Sequence, residues 1–476
     1  MPTLRTWQVV AGSAVAGLAL AASVVVAAGP WDSGQRTAER ERAASRSHRG
    51  GADHGEGRVP QAAPSAPGVL AAVSGAGPRQ AGAPTALADA LRPLLADPAL
   101  GDVRAASVVD AATGAVLYEE KPREPMTPAS TVKIATAAAA LAALGPEHRI
   151  ATTVVPGAGA GRIVLVGGGD PSLSAKKKNP AGPGGSLVVL AADTAQALKA
   201  TGTETVTLAY DDSLWTGPAR HPIGRNPNIA PMSALMADEG RPDDSTSGPV
   251  DRTDTPAQDA AAAFAALLRE RGITVTGAPA RAKAPAGAQA LATTWSTPVA
   301  GLVERMLTTS DNDIAEALAR QTAVAAGKPA DFEGGEKAVA EKLASLGLDL
   351  TGTRFADGSG LNRADKVSSG LLTALLAKAA EPGRPELRPV LTGLPVAGFN
   401  GTLRARNAGS SPAAGLLRAK TGTLSGVNSL AGTVVDPSGR LLAFAFLTAN
   451  TPGPEGAEKA LDKLAAAVAT TSPGGS

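Results

Sequence analysis

Apolar positions change their spacing several times along the chain, and each change predicts an element. From Val9 to Ala28 they run without a charge, about long enough to cross a bilayer. Arg5 precedes the run and Gly29-Pro30 closes it, which predicts a signal peptide or membrane anchor over residues 1–28. Five arginines between Arg36 and Arg49 follow, a charge placement that the positive-inside rule does not favour for export. Over residues 29–85 large apolar side chains thin out among Gly, Ala, Pro, Ser and Arg, which predicts a disordered linker.

Helical spacing begins at "ALADALRPLLAD", and "AASVVDAATGAVLYEE" reads as two strands around a glycine-containing turn. In "TPASTVKIATAAAALAALG" a proline opens an uninterrupted apolar helix that Gly145-Pro146 ends. Near the other end, "GLLRAKTGTLSG", "NSLAGTVV" and "LLAFAFLTAN" predict three strands, followed by the helix "GAEKALDKLAAAVATT". Strands at both ends with helices between predict an α+β domain whose antiparallel sheet is closed by its two ends and flanked by helices. Residues 151–289 change character. Short strands ("RIVLVGGG", "TVTLAYDD") alternate with helices ("SLVVLAADTAQALKATG", "AQDAAAAFAALLRERG"), which predicts an inserted α/β domain between the two parts of the first, 86–150 and 290–470.

Composition removes several classes of chemistry. Without cysteine there is no disulfide, thiol catalysis or Cys-bound zinc. The four histidines, His48, His54, His148 and His221, show no metal-ligand spacing and offer few bases for a Ser-His-Asp triad. We therefore expect no metal and no cofactor, and any serine chemistry needs another base. Aromatic residues are 3% of the chain and the formal net charge is +2, so no nucleic-acid partner is expected.

Ser130 and Lys133 share one helix face. A neutral lysine can take a serine proton, but its ordinary pKa of about 10.4 must then fall to about 7, a cost on the order of 4 kcal/mol, through burial, a second cation or a helix N-terminus. Spacing alone also suits a plain helix cap, and Ser174-x-x-Lys177 repeats the pattern in a Gly/Pro-rich loop that would leave its lysines solvated. Ser310-Asp311-Asn312 lies at a polar break between two helical patterns, where Ser310 with Asp313 also resembles a capping box. Lys420-Thr421-Gly422 sits on a predicted strand.

Taken together and in this order, the three motifs resemble the penicillin-recognising serine acyl-transferases, which include serine β-lactamases and penicillin-binding proteins. The 180 residues between Ser130 and Ser310, with "LVGGGDPSL", "LAYDDSLW", "WSTPVAGLVERMLTTSDNDIAEAL" and "DGSGLNR", narrow the resemblance. They resemble the D-alanyl-D-alanine carboxypeptidase/endopeptidase family, the low-molecular-mass class C penicillin-binding proteins. The resemblance implies a β-lactamase/transpeptidase-like fold and an extracytoplasmic, cell-wall enzyme, secreted or anchored. It would act on peptidoglycan stem peptides ending in D-Ala-D-Ala and on crosslinks, with β-lactams as inhibitors. By the same resemblance Ser130 is the nucleophile, Lys133 its base, Ser310 the proton relay and Asn312 the group that positions Lys133. Lys420 supplies the second cation, Thr421, Thr423 and Arg363 bind substrate, and Gly422 leaves room for it beside the strand. Asp170 suits a turn better than a stem-peptide contact. A serine β-lactamase or related esterase shares the motifs, and a non-catalytic wall-binding module is the alternative outside enzymology.

Overall fold

In a computed structural model that describes residues 85–471, two five-stranded sheets organise the chain. The expected leader or anchor and nearly all of the expected linker lie outside the described residues. Among the described residues, no helix is long and apolar enough to cross a membrane.

The first sheet has the order β2 (Val116–Glu120), β1 (Val103–Asp110), β10 (Leu441–Ala449), β9 (Val427–Val435), β8 (Leu417–Leu424). Every neighbouring pair is antiparallel, and β1 pairs with β10 from Val103↔Ala449 to Asp110↔Leu442, so strands from the two ends of the chain share the sheet centre. Strands β9 and β10 are buried along nearly their whole length because both faces of the sheet are covered. On β10 the alternation divides two cores: Leu442, Phe444 and Phe446 face one, Ala443, Ala445 and Leu447 the other. Helices α1 (Thr85–Leu95) and α10 (Pro454–Thr470) cover the first of these faces.

On the opposite face lies a helical layer centred on α2 (Lys133–Leu144). Its residues from Lys133 to Leu141 are all buried, so it is apolar all round except for Lys133 and Thr136, and its alanines allow close approach. Packed with it are α5 (Val299–Thr309), α6 (Asn312–Ala325), α7 (Phe332–Ser345) and α8 (Ser369–Ala380).

The second sheet has the order β6 (Thr274–Arg281), β5 (Thr205–Asp211), β4 (Arg162–Val166), β3 (Ala151–Pro156), β7 (Ala292–Trp295). Its β4–β5–β6 half is parallel, with α3 (Leu187–Ala200) and α4 (Pro256–Glu270) as the crossovers, while β3 is antiparallel to both β4 and β7. Leu187, Leu190, Phe264 and Leu268 close a separate core against Ile163, Leu165, Val206 and Leu208. Strand β7 carries this sheet past residue 289. A last short helix, α9 (Arg388–Thr392), precedes the β8 segment.

Phe444 is fully buried and packs against Phe446, with ring centroids 5.5 Å apart. Phe444→Ala is expected to lower unfolding stability by about 3–5 kcal/mol in urea denaturation, whereas Phe399→Ala, at a side chain 67% exposed, changes it by less than about 0.5 kcal/mol.

Candidate active site

Ser130 lies in a 3₁₀ turn, Ala129–Val132, that runs straight into α2. Neither Ser130 nor Thr131 caps that helix: its N-cap position is Val132, without a side-chain cap. Thr131 Oγ1 instead donates to Pro128 O at 2.7 Å, and Ser429 Oγ on β9 donates to the same carbonyl at 2.7 Å. Ala129 is held at φ 49°, a left-handed conformation that costs a non-glycine residue of order 1 kcal/mol. A Cβ on Gly422 would collide with Ser429 Oγ and lie 2.6 Å from Pro128 O. The absent side chain therefore leaves room for the Ser130 turn, where the resemblance implied room for substrate.

The Lys133 side chain is fully buried and its Nζ has three partners. It donates to Ser130 Oγ at 3.0 Å, to Asn312 Oδ1 at 2.7 Å and to the Ser359 carbonyl at 2.5 Å. Asn312 opens α6 and donates through Nδ2 to Asn228 O at 3.0 Å, which fixes its amide orientation. The capping-box reading of Ser310 does not hold. Asp311 caps α6 by accepting from Ile314 N at 3.0 Å, while Ser310 ends α5 in the left-handed region at φ 61°. That frees the Ser310 hydroxyl, which accepts from Lys420 Nζ at 2.9 Å. Lys420 is also fully buried and donates to Thr421 O at 2.8 Å.

Burial pushes the Lys133 amine down to about 8, against an upward pull from Asp357, Glu316, Asp311 and Asp365. Lys420 is driven well below the usual lysine range, first by burial and then by the charges of Lys133 and Arg406. The sequence names burial, a second cation and a helix N-terminus as ways to lower Lys133, and the resemblance made Lys420 that cation. The surroundings give a different division: carboxylates lie around Lys133 and cations around Lys420, so Lys420 is the amine whose charge is most disfavoured.

Ser130, Ser310, Asn312, Thr423 and Arg363 line one cleft of about 510 Å³, with Lys133 and Lys420 buried beneath it. Arg363 is exposed and donates from Nη2 to Ser425 O at 2.6 Å. Thr421 Oγ1 donates to Thr402 Oγ1 at 3.1 Å. Elsewhere, Ser174 Oγ is bonded to Asp238 at 2.6 Å and exposed Lys177 pairs with Glu270 at 3.3 Å, so the second Ser-x-x-Lys is no site. Asp170 Oδ1 accepts from Ser172 N and Oγ at 2.7 and 2.6 Å, as a turn residue does.

Known proteins align with this chain along most of its length. Residues 87–249 and 242–469 match the model of the D-Ala-D-Ala carboxypeptidase 3 (S13) family. The chain belongs to this family. Carboxypeptidase DacB of Mycolicibacterium smegmatis is 39% identical over 423 residues, covering 85% of this chain and 89% of the relative. The D-alanyl-D-alanine carboxypeptidase of an Actinomadura species is 30% identical over 458 residues, covering 78% and 82%. The solved structure of penicillin binding protein 4 from Haemophilus influenzae superposes with a TM-score of 0.63 at 22% identity, over 79% of this chain and 98% of that one, a likeness of fold.

In this D-Ala-D-Ala carboxypeptidase family member, sequence reasoning missed the layer under Lys133. Asp357 accepts from the backbone N–H groups of Ser359, Gly360 and Asn362 at 3.0, 2.5 and 2.6 Å, and from His221 Nε2 at 2.9 Å. Ile223 N donates to His221 Nδ1, which leaves the proton on Nε2. Glu316 accepts from Gly358 N at 3.0 Å, and Thr136 Oγ1 donates to Gly358 O at 2.7 Å. The "DGSG" loop is thereby clamped so that the Ser359 carbonyl meets Lys133. Burial raises Asp357, but its bonds from His221 and the loop outweigh that and hold it below the usual range. Burial and the Asp357 charge push Asp365 up to about 10, and burial lifts Glu316 to about 7.

Donor atoms of His221, Glu316 and Asp357, and of Glu239, Asp311 and Asp313, fall within 4.8 Å of one another, as metal ligands would. Both groups already have protein partners: His221 serves Asp357, Arg241 and Arg305 pair with Glu239, and Arg252 pairs with Asp313.

Asp357→Ala strands those buried donors. It is expected to cost about 3 kcal/mol or more in chemical denaturation. The depressed carboxyl stabilises the fold above the unfolded pKa near 3.8, and that contribution is lost as pH falls through the lower folded value. The variant should therefore lose the acid-side fall in stability attributable to this group.

Proposed function

We propose that this protein is a serine D-alanyl-D-alanine carboxypeptidase/endopeptidase that cleaves peptidoglycan stem peptides and crosslinks through an acyl-enzyme. The observation that carries the mechanism is the buried Lys133 amine 3.0 Å from Ser130 Oγ. In its neutral form Lys133 accepts the hydroxyl proton as Ser130 Oγ bonds to the carbonyl carbon of the penultimate D-alanine. The C–N bond then breaks and the leaving amine takes a proton relayed through Ser310, whose oxygen is held by Lys420. Water, deprotonated by Lys133, cleaves the ester and restores Ser130.

Each remaining residue has a stated task. Asn312 and the Ser359 carbonyl hold the Lys133 amine in line with Ser130. Backbone N–H groups of Ser130 and Thr423 receive the oxyanion, each worth about 10²–10³ in rate. Lys420, Thr421, Thr423 and Arg363 face the carboxyl end of the substrate. The inserted domain, whose sheet runs on to β7, overhangs the cleft through Ile223, Asn226 and Asn228. Residues 1–28 export the chain as a signal peptide or anchor, and residues 29–85 tether the enzyme on the wall side of the membrane. β-Lactams acylate Ser130 as substrate mimics.

Mass spectrometry after incubation with penicillin should find the adduct on the peptide that carries Ser130. Ser130→Ala should form none, and an adduct on that variant would remove Ser130 as nucleophile. Lys133→Ala should slow acylation by about 10²–10⁴. For the unaltered enzyme the acylation rate should climb as pH passes through about 8, because below that value the amine is protonated and accepts nothing.

A further inference from the structure

A segment between β5 and α4, residues 226–252, holds the three residues that follow Ser310. Asn312 Nδ2 donates to Asn228 O at 3.0 Å. Asp313 Oδ1 accepts from Ala230 N at 2.8 Å, and its Oδ2 accepts from Arg252 Nη2 at 3.2 Å. Arg252 also donates to the carbonyls of Glu239, Pro227 and Val250 at 3.0, 3.1 and 2.7 Å, so one guanidinium ties the segment together and docks it on α6. Asp311 is reached indirectly. Arg305, on α5, pairs through Nη2 with Glu239 Oε1, and the same Nη2 lies 3.5 Å from Asp311 Oδ2.

That last link is built on an unusual backbone. Asp238 and Glu239 are consecutive non-glycine residues in the left-handed region, at φ 52° and 53°, a conformation that persists only where the surroundings over-determine it. Ser174 Oγ and Ala175 N pin the Asp238 carboxylate at 2.6 and 3.0 Å. The turn buries the Glu239 carboxyl between Arg305 and Arg241, whose Nε donates to Glu239 Oε2 at 2.9 Å. Oxygens of Glu239, Asp311 and Asp313 lie within 4.8 Å of one another. Without the Arg305 guanidinium, Glu239 and Asp311 would repel, and the turn that carries Ser310 would lose its brace.

We infer that Arg305, anchored by Glu239, is a positioning residue for amide cleavage: it fixes Asp311 and thereby the neighbouring Ser310 hydroxyl that relays a proton to the leaving amine. Lys133 and Asn312 have supports of their own in the Ser359 and Asn228 carbonyls. Loss of Arg305 therefore falls on the relay and spares the attack by Ser130. The inference rests on the serine peptidase reading above.

Expulsion of an amine needs the relayed proton, whereas a thiolate leaves without one. The test compares two substrates with the same acyl part, a peptide ending in D-Ala-D-Ala and a thioester in which a thiolate bearing a carboxyl group replaces the terminal D-alanine. In Arg305→Met and in Glu239→Ala, kcat/KM for the amide should fall about tenfold or more, and for the thioester by less than about threefold. The double variant should match the single ones, because both substitutions break the same link. Arg305→Lys keeps the charge but pairs with one carboxylate at a time, so its amide-to-thioester ratio should lie between, and it decides the matter if the other variants do not fold. Equal slowing of both substrates, or no slowing of the amide, overturns the inference and leaves the peptidase reading standing. If the unaltered enzyme cleaves neither substrate and penicillin does not label Ser130, the reading itself falls and the inference with it.

Discussion

An amine without water around it is the constraint on which the rest of the structure depends. Lys133 Nζ is enclosed by Ser130 Oγ, Asn312 Oδ1 and the Ser359 carbonyl, and its side chain has no exposed surface. Desolvation is the largest influence on it and favours the neutral form that can take a proton. Four carboxyl groups oppose this. The structure limits their pull by burying two of them, Glu316 and Asp365, in surroundings that raise their own pKa values to about 7 and about 10. Asp357 is held below the usual carboxylate range by its bonds from His221 and the loop.

Several local departures from easy backbone geometry serve that enclosure. Ala129 and Ser310 both sit at positive φ without being glycine, one immediately before Ser130 and the other at the joint of α5 and α6. Where side chains would intrude, glycine stands instead. Gly422 lets β8 lie against the Pro128–Ala129 backbone, and a Cβ on Gly360 would strike the Ala129 carbonyl and come 2.9 Å from Ser130 N. Strain concentrated at a functional turn persists because packing around it over-determines the conformation. Here that packing is the Ala-rich α2 on one side and the β8–β9 pair on the other.

Much of this was legible from spacing alone. The β1–β2 hairpin, the three strands β8–β10, helices α1, α2 and α10, and the α/β alternation between β4 and α4 all follow from apolar periodicity and turn residues. The three motifs were found because their chemistry needs specific residues at fixed offsets. What escaped notice depends on contacts between residues far apart in sequence. His221 looked inert beside a proline, yet it meets Asp357 across 136 residues. "DGSGLNR" contributes a backbone carbonyl to Lys133, and no side-chain pattern announces a carbonyl. The role of Asp311 as the α6 cap, and hence the freedom of Ser310, turns on one residue of register at the helix start. Glu239 reads as an ordinary loop acid until the fold brings Arg305 beside it.

The protonation state of the Lys133 amine is the most direct test of the account. Nitrogen-15 NMR of lysine-labelled protein, with the Lys133 signal assigned by its loss in Lys133→Arg, gives that titration in isolation. The structure predicts a midpoint near 8. A midpoint at the ordinary lysine value of about 10.4 or above would mean that the amine stays charged at neutral pH and cannot serve as the base.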